Sequence, residues 1–280
     1  MHSVMILGAL SLAWLLRCSW SEPTGNWTQR WQRAVLLFLL PPLLLLVTAL
    51  AVLCMGPQGQ MIGLHTDWFS YCLVLGGVGL AIVFCFKLAA QGWQSLQQIR
   101  TYPQIGLEGR SARLVDSPLL YSAQIGFWQP ELVISQGLLQ TLKPEHLEAV
   151  LTHEQAHHYY RDTFWFFWLG WLRRITSWLP NTESLWQELL ILRELRADRW
   201  AAGRVDALLL AESLLMVVST PMMGAENFCA AFSRAAPYNR LQERIEALLE
   251  QPESLTKSNL WTWCWVLLAL LPLIAVPFHS

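Results

Sequence analysis

The segment from Leu151 to Asp162 reads LTHEQAHHYYRD and gathers three of the chain's seven histidines. Within it, His153-Glu154-Gln155-Ala156-His157 has the form H-E-x-x-H. On a helix, residues four apart stand one turn apart on one face, so the imidazoles of His153 and His157 can converge on one ion. Neutral imidazole is a good zinc ligand. Glu154 stands beside them, placed to take a proton from a zinc-activated water. The implied chemistry is metal-assisted hydrolysis. Chance produces such a pattern in about one chain in a hundred of this His and Glu content, and a solvated helix face would look the same. A catalytic zinc needs a third protein ligand and an open position.

A second segment, RELRADRW, offers that ligand. Glu194 and Asp198 form an E-x-x-x-D pair, one turn apart on one helix face. Glu194 is the candidate third ligand. Asp198 is then placed to accept the free ring N–H of a ligating histidine, with His153 the expected partner. Arg193, Arg196 and Arg199 support a blander reading, a charged solvated face. Glu188 is a rival ligand, but its i+4 neighbour is Leu192, which leaves it no supporting carboxylate. His158 stands about 140° around the helix from His153 and is expected to make a polar contact elsewhere. His2, His65, His146 and His279 have no partners in sequence. Arg161 and Asp162 are expected to lock the helix to its neighbours.

The elements around these motifs are largely apolar. Hydrophobic residues make up 54% of the 280-residue chain and charged residues 14%, well below the roughly 25% charge of a soluble domain. Membrane segments are expected. The 16 tryptophans crowd beside apolar runs, as rings do at membrane interfaces. A net charge of −1 without a basic cluster gives no reason to expect nucleic-acid binding. The six cysteines form no C-x-x-C pair, and five lie in or beside apolar runs, so they read as small hydrophobes.

Three uncharged runs are long enough to span a bilayer: 34–55, 68–86 and 260–278. Pro41 and Pro42 inside the first predict a kink. The apolar run 4–16 is as short as a signal-peptide core, but no A-x-A-like site follows it and Arg17 comes straight after. It is read as a short first crossing over about 4–20. Arg17, Arg30 and Arg33 lie in the first connection, and none lies in the second, 56–67. The bias in basic residues therefore predicts a cytoplasmic segment over about 87–259 and both chain ends outside. The expected organisation is a membrane region over 1–90, a cytoplasmic domain over 91–259, and a last crossing over 260–280.

Within the cytoplasmic segment, 110–115 and 131–135 read as short strands, with turn residues Gly126 and Pro130 between them. Pro144 suits the first turn of the helix that carries the H-E-x-x-H motif. The run 163–172, TFWFFWLGWL, is expected to continue that helix. Ser184 and Gln187 form an S-x-x-Q capping box expected to start a second helix, which ends at Ala202 before Gly203.

The paired motifs, with Arg161-Asp162 after the first and E-x-x-x-D beginning 37 residues after His157, resemble the BlaR/MecR-type membrane metallopeptidases. PELVISQGLLQTLKPEHLEAVLTHEQAHH is similar to the strand, short helix and active-site helix of that family and of the related HtpX-like peptidases. Arg244-Ile245 in NRLQERIEALLEQ is similar to their R-I-x-x-L-L segment. The resemblance covers about 111–251. It implies a mainly α protein: multi-pass membrane helices and a cytoplasmic gluzincin-type peptidase domain with a small β-sheet. It also implies one Zn2+ per chain on His153, His157 and Glu194, with Glu154 as general base.

Known members sense β-lactams outside the cell and inactivate a BlaI/MecI-type repressor inside it. Here two residues follow the last apolar run and the external connection is short. The external penicillin-binding sensor domain is therefore expected to be absent, and an antibiotic-sensing role is not supported. The expected activity is zinc-dependent endopeptidase cleavage of a protein or peptide substrate, in signalling through a cytoplasmic repressor. One alternative is an HtpX-like constitutive quality-control peptidase. Another, from a different class, is a non-catalytic zinc-containing receptor or scaffold. Strand 131–135 is expected to be an edge that pairs with substrate. Tyr238, Arg234 and Arg244 are candidate oxyanion stabilisers, among which the sequence does not choose. Substrate, signal and oligomeric state are not legible in it.

Overall fold

The computed structural model describes residues 2–21, 25–58, 60–61, 64–65, 68–107, 109–218, 240–250, 264 and 266–278. Two compact units emerge: Met1–Phe86 with Trp171–Leu189 and Leu255–Ser280, and Lys87–Gly170 with Leu190–Ser254.

The first unit contains α1 (His2–Cys18), α2 (Trp27–Met55), a two-stranded hairpin of β1 (Gln60–Met61) and β2 (Leu64–His65), and the first part of α3 (Trp68–Arg100). The Asn26 side chain caps α2 by accepting the Gln29 N–H at 3.0 Å. The helix runs on through Pro41 and Pro42 and stops at Gly56, whose φ of 78° suits glycine. Arg17 is fully buried here. It donates to Thr182 Oγ1 at 3.1 Å and to the Phe38 carbonyl at 3.3 Å, and its guanidinium covers the Phe38 ring. Arg30 and Glu188 pair at 2.7 Å.

Among the described residues, two helices are long and apolar enough to cross a membrane, α2 and α3. The apolar window of α3 is 17% buried, so Leu73, Leu80 and Phe86 stand exposed, as they would against lipid tails. The expected crossing over 4–20 is the shorter helix α1, of 17 residues. The expected crossing over 260–280 lies partly outside the described residues. Its described part is broken into short turns, Leu268–Leu270, Leu271–Ile274 and Val276–Phe278, with Pro272 and Pro277 removing backbone donors.

The second unit is built on a mixed four-stranded sheet, ordered β3 (Gln104–Leu107), β4 (Arg110–Val115), β6 (Glu131–Ser135), β5 (Ser122–Ile125). Strands β4 and β6 are parallel, and the other pairs antiparallel. The strand expected at the edge, 131–135, is therefore central. The free edge beside it belongs to β5, a strand that the sequence reading did not identify. Gly126, at φ 139°, turns the chain from β5 back to β6, with Pro130 Cα 2.9 Å from where a Cβ would stand.

Ser135 ends β6 and caps α4 (Gln136–Thr141) by accepting the Leu138 N–H at 3.2 Å. Helix α5 (Pro144–Tyr159) follows, with proline in its first turn. One side of α5, Leu147, Val150 and Leu151, packs on Ala112, Leu132 and Ile134 of the sheet. Ala149 on another side packs among Leu210 and Leu214 of α8 (Ala207–Val218) and Leu241 and Leu248 of α9 (Leu241–Leu249). Covered on both sides, α5 carries its polar motif inside the core.

The chain then breaks. Tyr160 N–H and Arg161 N–H close on the carbonyls of Ala156 and His158, and Arg161 takes a left-handed φ of 54°. The apolar run 163–172 is thus not a continuation of α5 but part of a separate helix, α6 (Asp162–Ile175). Helix α7 (Thr182–Ala202) ends where expected but starts before Ser184. Asn181, at φ 55°, makes the entry turn, and the expected capping box does not form. Gln187 bonds Glu183 instead, at 2.7 Å.

Candidate metal centre

Helix α5 brings His153 and His157 together. Their Nε2 atoms stand 3.1 Å apart. From the second half of α7, Glu194 Oε2 comes within 3.4 Å of His153 Nε2 and 3.7 Å of His157 Nε2. Three ligand atoms about 2 Å from one tetrahedral ion would stand about 3.3 Å from one another. The three side chains therefore fit a zinc ion in both chemistry and spacing, and they form a group that can hold a metal.

Each of these groups is oriented by a partner. His153 Nδ1 lies 2.8 Å from Asp198 Oδ1. Asp198 in turn accepts two hydrogen bonds of 2.7 Å from the buried Arg244 guanidinium. His157 Nδ1 lies 2.7 Å from Asp162 Oδ2, and the other Asp162 oxygen accepts from Arg196. Glu194 Oε1 accepts from Arg193 Nε and NH2 at 2.9 and 2.7 Å, which leaves Oε2 to face the histidines. Such outer partners fix ring orientation and raise ligand basicity.

The electrostatics follow from burial opposed by charge. Burial disfavours the His157 imidazolium, but the Glu194 and Asp162 carboxylates outweigh it and push this pKa up to about 10. His153 is raised against the same burial by Asp198 and Glu194. Burial would raise Glu194, yet Arg193, His157 and Arg244 hold it well below the usual carboxylate range. Asp198 is lowered in the same way by Arg244. These neighbouring cations hold Glu194 and Asp198 charged.

Glu154 is buried beside the ligands. Ser122 Oγ–H on the edge strand β5 donates to Glu154 Oε1 at 2.8 Å. His158 is exposed on another side of α5. His146 pairs with Glu212 at 3.3 Å. Glu188 is paired with Arg30 and is not one of the residues that form the ligand group. The blander alternative, a solvated, charge-rich face on α7, does not hold at Arg193, which is buried, covers the Phe166 ring at 4.8 Å and is bound to Glu194. Of the oxyanion candidates, Arg244 has Nε and NH2 occupied by Asp198, with NH1 3.4 Å from Glu194 Oε2. Tyr238 and Arg234 lie outside the described residues.

Sequence reasoning missed Asp162, Ser122, Arg193 and Arg196 as parts of the centre. Asp162 sits inside the opening motif, but uninterrupted helix geometry would turn it away from His157. The left-handed Arg161 brings it back, and arginine carries no signal for that conformation. Ser122 was hidden because its strand was not recognised.

Residues 108–239 match the sequence model of peptidase family M48. The matched stretch contains His153, Glu154, His157, Glu194 and Asp198. It supports a zinc metallopeptidase family for this part of the chain. No curated protein matches the chain.

Proposed function

We propose that the chain is an integral-membrane zinc endopeptidase. The observation that carries this reading is the convergence of His153, His157 and Glu194 beside a buried Glu154. Zinc on those three side chains would supply Lewis acidity, acidifying water and polarising the scissile carbonyl. Glu154 takes the proton of the attacking water and passes it to the leaving amine. Ser122 fixes one Glu154 oxygen, so the other is left for that exchange. An extended substrate pairs along the free edge of β5, in place of the 131–135 strand first expected. Arg244 is assigned to positioning Asp198, and Tyr238 and Arg234 remain the proposed oxyanion donors. Three protein ligands with a carboxylate at hand favour an enzyme over a zinc-containing scaffold, whose site is normally closed by four.

The peptidase domain is placed in the cytoplasm on the distribution of basic residues around the apolar runs. Its role is transmembrane signalling by cleavage of a BlaI/MecI-like repressor, supported by the resemblance of the paired motifs. The segment 130–158 is also similar to the HtpX-like peptidases, which favours constitutive quality control as a second reading.

The test is Glu154→Gln. Zinc should stay bound while proteolysis falls by at least about a hundredfold. Proteomics of cells carrying each form should show one DNA-binding protein accumulating for signalling, or many membrane proteins for quality control. Full activity in the variant overturns the peptidase reading.

A further inference from the structure

In the second unit, the turn between β5 and β6 and the first half of α6 build one aromatic surface. Phe127 stands at its centre, with its ring centroid 5.0 Å from that of Phe164, 4.9 Å from Phe167 and 6.2 Å from Trp168. Trp128 packs on Phe164 at 5.3 Å. The outer rings of the group nevertheless face outward: Trp128 is 66% exposed, Trp165 57% and Trp168 37%. Trp165 and Trp168 are three residues apart on α6 and so share one side of it. The exposed Arg161 lies over the Trp128 ring at 5.5 Å and puts a cation at the rim. Contiguous exposed apolar surface of this kind marks a contact site. Indole combines an apolar body with a polar N–H, which suits the headgroup level of a bilayer.

The course of α6 points to the same partner. Beyond Trp168, the Trp171 indole N–H donates to the Ala81 carbonyl at 2.8 Å, and Arg174 lies over the Phe84 ring at 5.7 Å. Ala81 and Phe84 belong to the uncharged run 68–86 of α3, which ends at Lys87. Trp165 precedes Trp171 by six residues, about 9 Å along the helix. Along one helix, then, the exposed rings are followed directly by residues bound to a segment fitted to lipid, close to where its charge-free run ends.

We propose that Trp128, Trp165 and Trp168 insert at the headgroup level of the membrane that α3 crosses, so that the second unit docks on the bilayer as well as being tethered to it. Ile125 ends β5 three residues before Trp128, so docking holds that end of the free edge within about 10 Å of the headgroups. The proposal rests on α3 crossing a membrane and is independent of the peptidase reading.

The experiment reconstitutes the full-length protein in nanodiscs of equal parts phosphatidylcholine and phosphatidylglycerol. A photoreactive benzophenone amino acid replaces Trp128, Trp165 or Trp168, one at a time, an aromatic exchange that keeps the packing. Leu80, exposed on α3, is the lipid-facing reference, and Glu148, exposed on α5, is the solvent-facing one. After irradiation, mass analysis scores covalent lipid adducts. Adducts at the three tryptophan positions should exceed those at Glu148 by about tenfold or more, the ratio that burial of one large side chain sustains. Adducts at Leu80 with only the Glu148 level at the tryptophan positions overturn the docking. Crosslinks from those positions to protein instead of lipid, within the chain or to a second copy, overturn it as well. Absence of adducts at Leu80 and at all three tryptophan positions overturns the membrane crossing by α3, and the docking with it.

Discussion

His157 Nδ1 lies 2.7 Å from Asp162 Oδ2, five residues on, because Arg161 between them adopts a left-handed backbone. A left-handed conformation costs a non-glycine residue about 1–2 kcal/mol. The fold offsets it with the His157–Asp162 bond, the Asp162–Arg196 ion pair, and Arg161 lying over the Trp128 ring at 5.5 Å. Asp162→Ala should lower zinc affinity by about 10–100-fold, because His157 loses the group that orients its ring. Competition with a chromophoric chelator measures this. Unchanged affinity would show that Asp162 serves the fold alone.

The two glutamates of α7 should separate cleanly. Glu194→Ala removes a ligand and should abolish stoichiometric zinc. Glu188→Ala should keep zinc but lower stability by about 3 kcal/mol, since it leaves the Arg30 guanidinium without its carboxylate in a largely buried pair. Metal analysis alongside thermal unfolding distinguishes these outcomes, and zinc loss in Glu188→Ala would reverse the ligand assignment.

The raised His157 pKa gives a pH dependence with a definite sign. The ordinary imidazole value is about 6.5, and the folded value in the absence of metal is about 10. The stabilisation is complete below about pH 6.5 and is lost as pH rises towards 10. The unfolding midpoint of metal-free protein should therefore fall between pH 7 and 10. Zinc binding near pH 7 should release protons, seen as a calorimetric enthalpy that changes with buffer. A midpoint that rises over this range, or binding without proton release, contradicts the charge balance of the centre.

Gly137 sets helix propensity against packing. Alanine at an ordinary helical glycine gains up to about 1 kcal/mol. Here a Cβ would stand 2.1 Å from the Pro118 carbonyl oxygen and 2.4 Å from its carbon, and such overpacking costs about 1–3 kcal/mol. Gly137→Ala should lower the unfolding midpoint, and a raised midpoint would mean that the 118–121 segment yields.

Legibility in the sequence tracked the range of the interactions. The strands Arg110–Val115 and Glu131–Ser135 were visible as short segments with turn residues between them, and the structure has them with those bounds. β3 and β5 were not, because four-residue strands with a mixed pattern acquire their pairing from neighbours. That same dependence moved the edge from 131–135 to Ser122–Ile125. The charges of α7 admit a solvated reading for a related reason: Arg193 and Arg196 are answered by a ring and a carboxylate from elsewhere in the fold, which no apolar stripe records.

The sequence by itself singled out the side chains of the candidate metal group, because H-E-x-x-H and E-x-x-x-D each place a pair on one helix face by helix period alone. It also determined the long apolar runs, since length and hydropathy are local properties. Only the tertiary structure decided what surrounds those side chains. It turned Asp162 back to His157 through one left-handed residue, gave Asp198 to Arg244 and Glu194 to Arg193, and set Ser122 on Glu154. These contacts join residues brought together by packing rather than by helix or strand period, and no periodicity in the chain records them.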